Sequence, residues 1–275
     1  MHRTKTFMLM VILTVVFIVL GGAIAGEDGM VMAFGFALIL NFFSYWFSDK
    51  IAIKMTRSRP LSEKEAPEVY DIVRKLTSKA NMPMPKIYLT PSNQPNAFAT
   101  GRNPKNSAIA VTEGILNLLN RDELEGVIAH ELSHVRNRDT LISTIAAVMA
   151  GALAFLARMG RFRMIFGRRN RNAGGILQLV AIIFAPLAAI LIKMAISRSR
   201  EYLADETGAK ISGNPEGLAS ALQKMQSQVK RNPMKVNEAT SHMFILNPLS
   251  AEGISKLFST HPPVEERINR LRKLR

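Results

Sequence analysis

The sequence predicts a mainly helical α+β protein held to a membrane by apolar hairpins, and three observations carry that reading. Hydrophobic residues make up 48% of the 275 positions and gather into four uncharged runs at 7–25, 30–47, 140–157 and 172–192. Between these runs, helical stripes alternate with short β-type segments. The formal net charge of +15, from 36 Lys and Arg against 21 acidic residues, concentrates beside the apolar runs and in the tail 267–275. The absence of cysteine removes a disulfide scaffold, a Cys-based zinc site, an iron–sulfur cluster and a thiol nucleophile together. A nucleic-acid role is discounted, because aromatics are only 7% and fall mostly in the apolar runs instead of on a basic soluble face.

The elements follow in order. Runs 7–25 and 30–47 are each long enough to cross a hydrocarbon core of roughly 30 Å as a helix. Gly26-Glu27-Asp28-Gly29 between them is short enough only for a tight hairpin, and a retained anchor is expected instead of a cleaved leader. Arg3 and Lys5 precede the first run, and Lys50, Lys54, Arg57 and Arg59 follow the second. The positive-inside rule therefore puts both flanks in the cytoplasm. The pattern divides the chain into an anchoring hairpin (1–50), the first half of a soluble domain (51–139), a second apolar hairpin (140–196) and the second half of that domain (197–275).

In the first soluble half, Ser62 and Glu65 read as a capping box opening a helix to about 80, with Val69, Ile72, Val73 and Leu76 on one stripe. Segments 86–90, 97–101 and 107–112 are short and β-like, and predict a small meander. A helix near 113–119 comes next. Asn120 and Glu123 then cap a further helix running from about 121 past 137.

That last helix holds His130-Glu131-Leu132-Ser133-His134. Residues four apart share a helix face, so both imidazoles point at a common position where they can bind one zinc ion. Glu131, beside them, is placed to accept a proton from an attacking water. This is the HExxH arrangement of zinc metallopeptidases. Flanking Val127, Ile128, Ala129 and Val135 indicate a buried setting, not a solvated helix face. A catalytic zinc needs a third protein ligand and an open position. His242 and His261 are possible. Glu201 and Asp205 fit better: they are four apart on a helical stretch, so one can ligate while the other receives the N–H of a ligand histidine.

These features together resemble the HtpX family: the HELSH pentapeptide, ExxxD at 201–205, Asn96-Ala97-Phe98-Ala99-Thr100-Gly101 upstream and Thr260-His261-Pro262-Pro263 near the end. The resemblance covers nearly the whole chain. It implies a membrane-bound zinc metalloprotease related to the Ste24 CAAX-processing proteases, with a gluzincin-like fold and one zinc per chain. Glu201 is implied as the third ligand and Asp205 as the carboxylate behind the ligands. Asn96, Ala97 and Phe98 are implied to lie along the substrate cleft, with His261 and Arg267 near it as oxyanion stabilisers. The residues add a substrate mode: strand 107–112, with Ala110, is expected to offer an unpaired edge for an extended peptide.

Both His134 and Glu201 must reach one ion, so the segment between them crosses a membrane twice or not at all. Its length favours crossing, which makes a protein of four spans in the cytoplasmic membrane with its soluble domain in the cytoplasm. The six arginines of 158–171 oppose that orientation and favour anionic headgroups. The expected substrates are misfolded or damaged membrane proteins and unfolded cytosolic segments. A narrow processing protease of the Ste24 type and a non-catalytic holdase with structural zinc are the alternatives.

Overall fold

The computed structural model describes residues 2–142, 145, 198–231, 245 and 262–274. Most of the second apolar hairpin, His242 and His261 lie outside the described residues.

Helix α1 (His2–Trp46) carries the first two apolar runs. Asn41 Nδ2 donates to Thr14 Oγ1 at 2.9 Å and to the Met10 carbonyl at 3.3 Å. An unbroken helix would hold residues 14 and 41 roughly 40 Å apart. The helix therefore reverses, and it does so at Gly26, whose φ of 61° is open to glycine without steric cost. The two arms lie close. Phe17 and Phe36 meet edge to face at 5.6 Å, and Leu13, Phe17 and Ala37 are buried with Leu141, Ile142 and Ile145. The start of the third apolar run thus packs on this hairpin. Gly26–Trp46 is long and apolar enough to cross a membrane, and it exposes Phe34, Leu38, Ile39 and Phe42.

Helix α2 (Ser48–Met55) leads to a four-stranded sheet: β1 (Arg59–Pro60), β2 (Lys86–Thr90), β3 (Ala97–Asn103) and β4 (Asn106–Thr112), in the order β1-β2-β4-β3. This is not the expected meander. Strand β4 sits in the centre, parallel to β2 and antiparallel to β3, which takes the edge. The cause is in β4 itself. Ser107 to Thr112 are buried at every position, and a strand buried on both faces needs cover on both. Ile109 and Val111 join the main core. Ala110 faces the other way, against Phe98 and the Ala52 of α2. With both faces covered, the apolar run 108–111 takes the centre, and the edge expected at 107–112 belongs to β3.

Helix α3 (Pro67–Ala80) buries the expected stripe but begins later than Ser62. Ser62 Oγ does donate to Glu65 Oε2 at 2.7 Å, closing a turn. Ala66 then stands before Pro67, with φ −142° and ψ 67°, because a residue preceding proline is kept out of the helical region. After the short α4 (Glu113–Leu118), α5 (Arg121–Asn137) starts in a reciprocal capping box. Asn120 Oδ1 accepts the Glu123 N–H at 3.0 Å, and Glu123 Oε2 accepts the Asn120 N–H at 3.0 Å.

Helices α6 (Arg198–Ser212), α7 (Pro215–Arg231) and α8 (Val264–Arg272) complete the domain. Helix α5 is its axis, with Leu124, Val127, Ile128 and Leu132 buried among α3, the sheet, α6 and α7. Two glycines set how near its neighbours come. A Cβ at Gly126 would lie 2.5 Å from the Leu218 nitrogen, and one at Gly208 would lie 2.9 Å from the nitrogen of His130. Both obstacles are backbone and cannot rotate away. Gly208→Leu should therefore separate α5 from α6 at a cost of about 1–3 kcal/mol, read as a lowered denaturation midpoint; an unchanged midpoint would contradict this close crossing.

Candidate metal centre

The crossing of α5 and α6 brings His130, His134 and Glu201 together, with one possible ligand atom from each within 4.8 Å of the others. The two Nε2 atoms are 3.2 Å apart. Glu201 Oε2 lies 3.8 Å from His130 Nε2, and Oε1 lies 3.5 Å from His134 Nε2. Atoms sharing a tetrahedral zinc at bonds of roughly 2.1 Å sit about 3.4 Å apart. The set therefore fits zinc in both donor chemistry and spacing. Helical register accounts for the histidines, and Glu201, in the first turn of α6, reaches them only because Gly208 lets that helix approach.

Each imidazole also meets a carboxylate on its other nitrogen. His130 Nδ1 is 3.0 Å from Asp205 Oδ1, a close approach although not aligned as a straight hydrogen bond. His134 Nδ1 is 3.4 Å from Asp139 Oδ2. Such contacts orient a ligand ring and select the tautomer with a free Nε2. No sequence pattern singles out Asp139. It follows Arg138, whose φ of 60° ends α5, and that reversal returns the carboxylate to a histidine it would otherwise leave behind. The Arg200 guanidinium lies 3.8 Å from the same carboxyl group.

Arg267, expected near the cleft, lies behind the cluster with its Nη1 3.8 Å from Glu201 Oε2. It is fully buried. Its Nε and one terminal nitrogen donate to Asp205 at 2.8 and 2.7 Å, and the other donates to the Ile245 carbonyl at 3.2 Å. Two of its nitrogens thus hold Asp205 and the third ties it to Ile245. Asp205 is held at about 2: burial works to raise it, but the Arg267 charge and the His130 contact outweigh burial. It remains an anion behind His130.

Burial dominates the remaining shifts. Glu131 is pushed up to about 7, chiefly by burial and also by the negative Glu201, against the pull of His134 and of the Ala99 N–H. His130 is lowered, by burial first and by the neighbouring His134 and Arg267 charges, despite Asp205. For His134 burial also pulls down. There Asp139, Glu201 and Glu131 prevail, and in the metal-free site it rises to about 9.

The expected cleft residues separate into side chain and backbone. Ala97, Phe98 and Ala110 are buried, so their side chains line no cleft; successive strand residues point to opposite faces, and helices cover both faces of this sheet. What meets the site is the edge of β3, where the Ala99 N–H donates to Glu131 Oε2 at 2.9 Å. Asn96 is a fastener instead. Its backbone N–H donates to Thr112 Oγ1 at 2.9 Å, and its Oδ1 accepts the Ile245 N–H at 3.1 Å. It is thereby linked, through Ile245, to Arg267.

Asp139→Asn keeps the shape of the residue but weakens its hold on His134. Zinc affinity measured by competition with a chelator should fall about 10–100-fold, with the fold unchanged by circular dichroism. Unaltered affinity would leave Asp139 without this role.

Comparison with known proteins agrees with this geometry. A "Protease HtpX homolog" of Pelotomaculum thermopropionicum is 55% identical, with 98% of each chain covered. One of Pyrococcus furiosus is 56% identical over 98% of this chain and 95% of that one. The crystal structure of S. mikatae Ste24p shares the fold at 20% identity and a TM-score of 0.51, covering 88% of this chain. This chain spans 57% of the length of that protein. Residues 63–275 match the sequence model of Peptidase family M48. With the matched span enclosing both histidines, Glu131 and Glu201, the chain belongs to peptidase family M48.

Proposed function

We propose that this chain is a membrane-integrated zinc endopeptidase that hydrolyses peptide bonds in misfolded or damaged membrane proteins and in unfolded cytosolic segments. The observation that carries the reading is the convergence of both Nε2 atoms with Glu201, beside a glutamate that ligates nothing and faces a strand edge. A closed structural site would give Glu131 no task, which disfavours the holdase.

His130, His134 and Glu201 would hold one zinc ion. Bound there, it would supply Lewis acidity toward the scissile carbonyl. Glu131 takes the proton of the attacking water at a carboxylate oxygen and passes it to the leaving amine. In the metal-free site burial favours its protonated form, the form that donates in the second transfer. The Ala99 N–H steadies that carboxylate. Asp205, anchored by Arg267, and Asp139 keep the two imidazoles turned toward the ligand position.

An extended peptide would lie along the outer edge of β3, where backbone pairing reads shape more than sequence. That suits unfolded substrates. Membrane integration is supported by the apolar span Gly26–Trp46 and by the packing of Leu141, Ile142 and Ile145 on the α1 hairpin. The basic residues flanking the hairpin favour a cytoplasmic catalytic domain in contact with anionic headgroups.

Glu131→Gln should leave zinc bound and lower cleavage of unfolded casein by at least about 100-fold, the scale of a lost general base. Chelation should abolish the wild-type activity and zinc should restore it. Near-normal turnover by the metal-loaded variant would show the base to be another group.

A further inference from the structure

The span that ends at Trp46 and the strand that holds Glu131 are mechanically joined. The Arg102 guanidinium lies over the Trp46 ring at 4.5 Å, and its Nη1 donates to the Trp46 carbonyl at 3.1 Å. Two residues back, Thr100 Oγ1 donates to the Ser48 carbonyl at 3.3 Å. Phe98 and Ala110 pack on Ala52 of α2. The register slips between Gly101 and Asn103, and a bulge of this kind re-aims the side chain beside it; here that side chain is Arg102. The tip beyond is tied down, since Asn103 Oδ1 accepts both the backbone and the side-chain N–H of Asn106.

Around this joint, chemistry changes abruptly. Phe42, Phe43 and Trp46 are exposed at the end of the span, an aromatic belt of the kind found at headgroup level. Lys50 and Lys54, exposed on one face of α2, and Lys105, exposed at the hairpin tip, surround it with positive charge. Asp49 is the sole acidic residue within 42–59 and 97–108. From Arg102 back to Ala99, whose N–H holds Glu131, is three strand positions, roughly 10 Å.

We propose that Arg102 and Lys105 at the β3–β4 tip bind anionic lipid headgroups beside Trp46, holding β3 and Glu131 at a fixed height just above the bilayer. The preferred substrate is then chain emerging directly from the membrane, because a segment close to its own span is already level with the cleft. This rests on the endopeptidase reading and narrows its substrate class.

The full chain, loaded with zinc, is reconstituted in vesicles of phosphatidylcholine alone or mixed with phosphatidylglycerol. Trp46, the sole tryptophan, reports the contact by its quenching with brominated lipid. Quenching by brominated phosphatidylglycerol should exceed that by brominated phosphatidylcholine, and the excess should vanish in Arg102→Ala/Lys105→Ala. In the mixed vesicles, a spanning substrate with its cleavable stretch about 3 residues from the bilayer should be cut roughly tenfold faster than one about 15 residues away, by local concentration. The double variant should lose this preference and still cut a soluble unfolded peptide at the parent's rate. Lys105→Glu, which leaves the Arg102–Trp46 contact in place, should show the same loss if the double variant folds poorly. Equal cutting of near and far sites by the parent, or equal quenching by the two lipids, overturns the proposal. Failure to cut any peptide refutes the endopeptidase reading instead, and the quenching result still decides the lipid contact.

Discussion

The site depends on one close approach, that of α6 to α5 at Gly208. Histidines four apart on a helix supply two ligand nitrogens wherever that helix lies. The third ligand must come from another element, and Glu201 has a short side chain. A Cβ at Gly208 would press on the His130 backbone at 2.9 Å, so any larger residue would lift α6 and its carboxylates away. The same contact also brings Asp205 beside His130. A single steric allowance thus positions both a ligand and the group that orients a ligand.

Around this crossing, charge is buried in a linked arrangement. Asp205 lies beside His130, Arg267 braces Asp205, and the Ile245 carbonyl and Asn96 side chain extend the chain of contacts to the base of β3. Buried charge is costly unless it is paired and hydrogen-bonded. Here the pairing fixes orientation, since the bidentate Arg267 fork allows Asp205 little choice of rotamer. Arg267 Nη1 also lies 3.8 Å from Glu201 Oε2, so the same guanidinium borders the ligand cluster. Glu131 is held instead by the Ala99 N–H, and in the metal-free site burial raises it toward neutrality.

The architecture ties this chemistry to the hydrophobic anchor. One face of the sheet serves the core with α5, while the other rests on α2, which continues directly from the apolar hairpin. The strand whose Ala99 N–H meets Glu131 is thus also the strand fastened to Trp46. Side-chain and backbone contacts at Arg102, Thr100 and Phe98 join this edge to the anchor.

Local features were readable in the chain itself. The HExxH register, the Asn120 capping box, the stripe of α3 and the glycine-centred reversal of α1 depend on residues near in sequence, whose geometry follows from helical periodicity and backbone sterics. Features that join distant segments were not. The central place of β4, the edge position of β3, the recruitment of Asp139 after the left-handed turn at Arg138 and the withdrawal of Arg267 to Asp205 were decided by packing. The apolar residues 108–111 suit an edge or a centre until both faces are known to be covered. Arginine beside a cleft and arginine behind a carboxylate read alike in one dimension, because a side chain's partner is chosen by the fold that surrounds it.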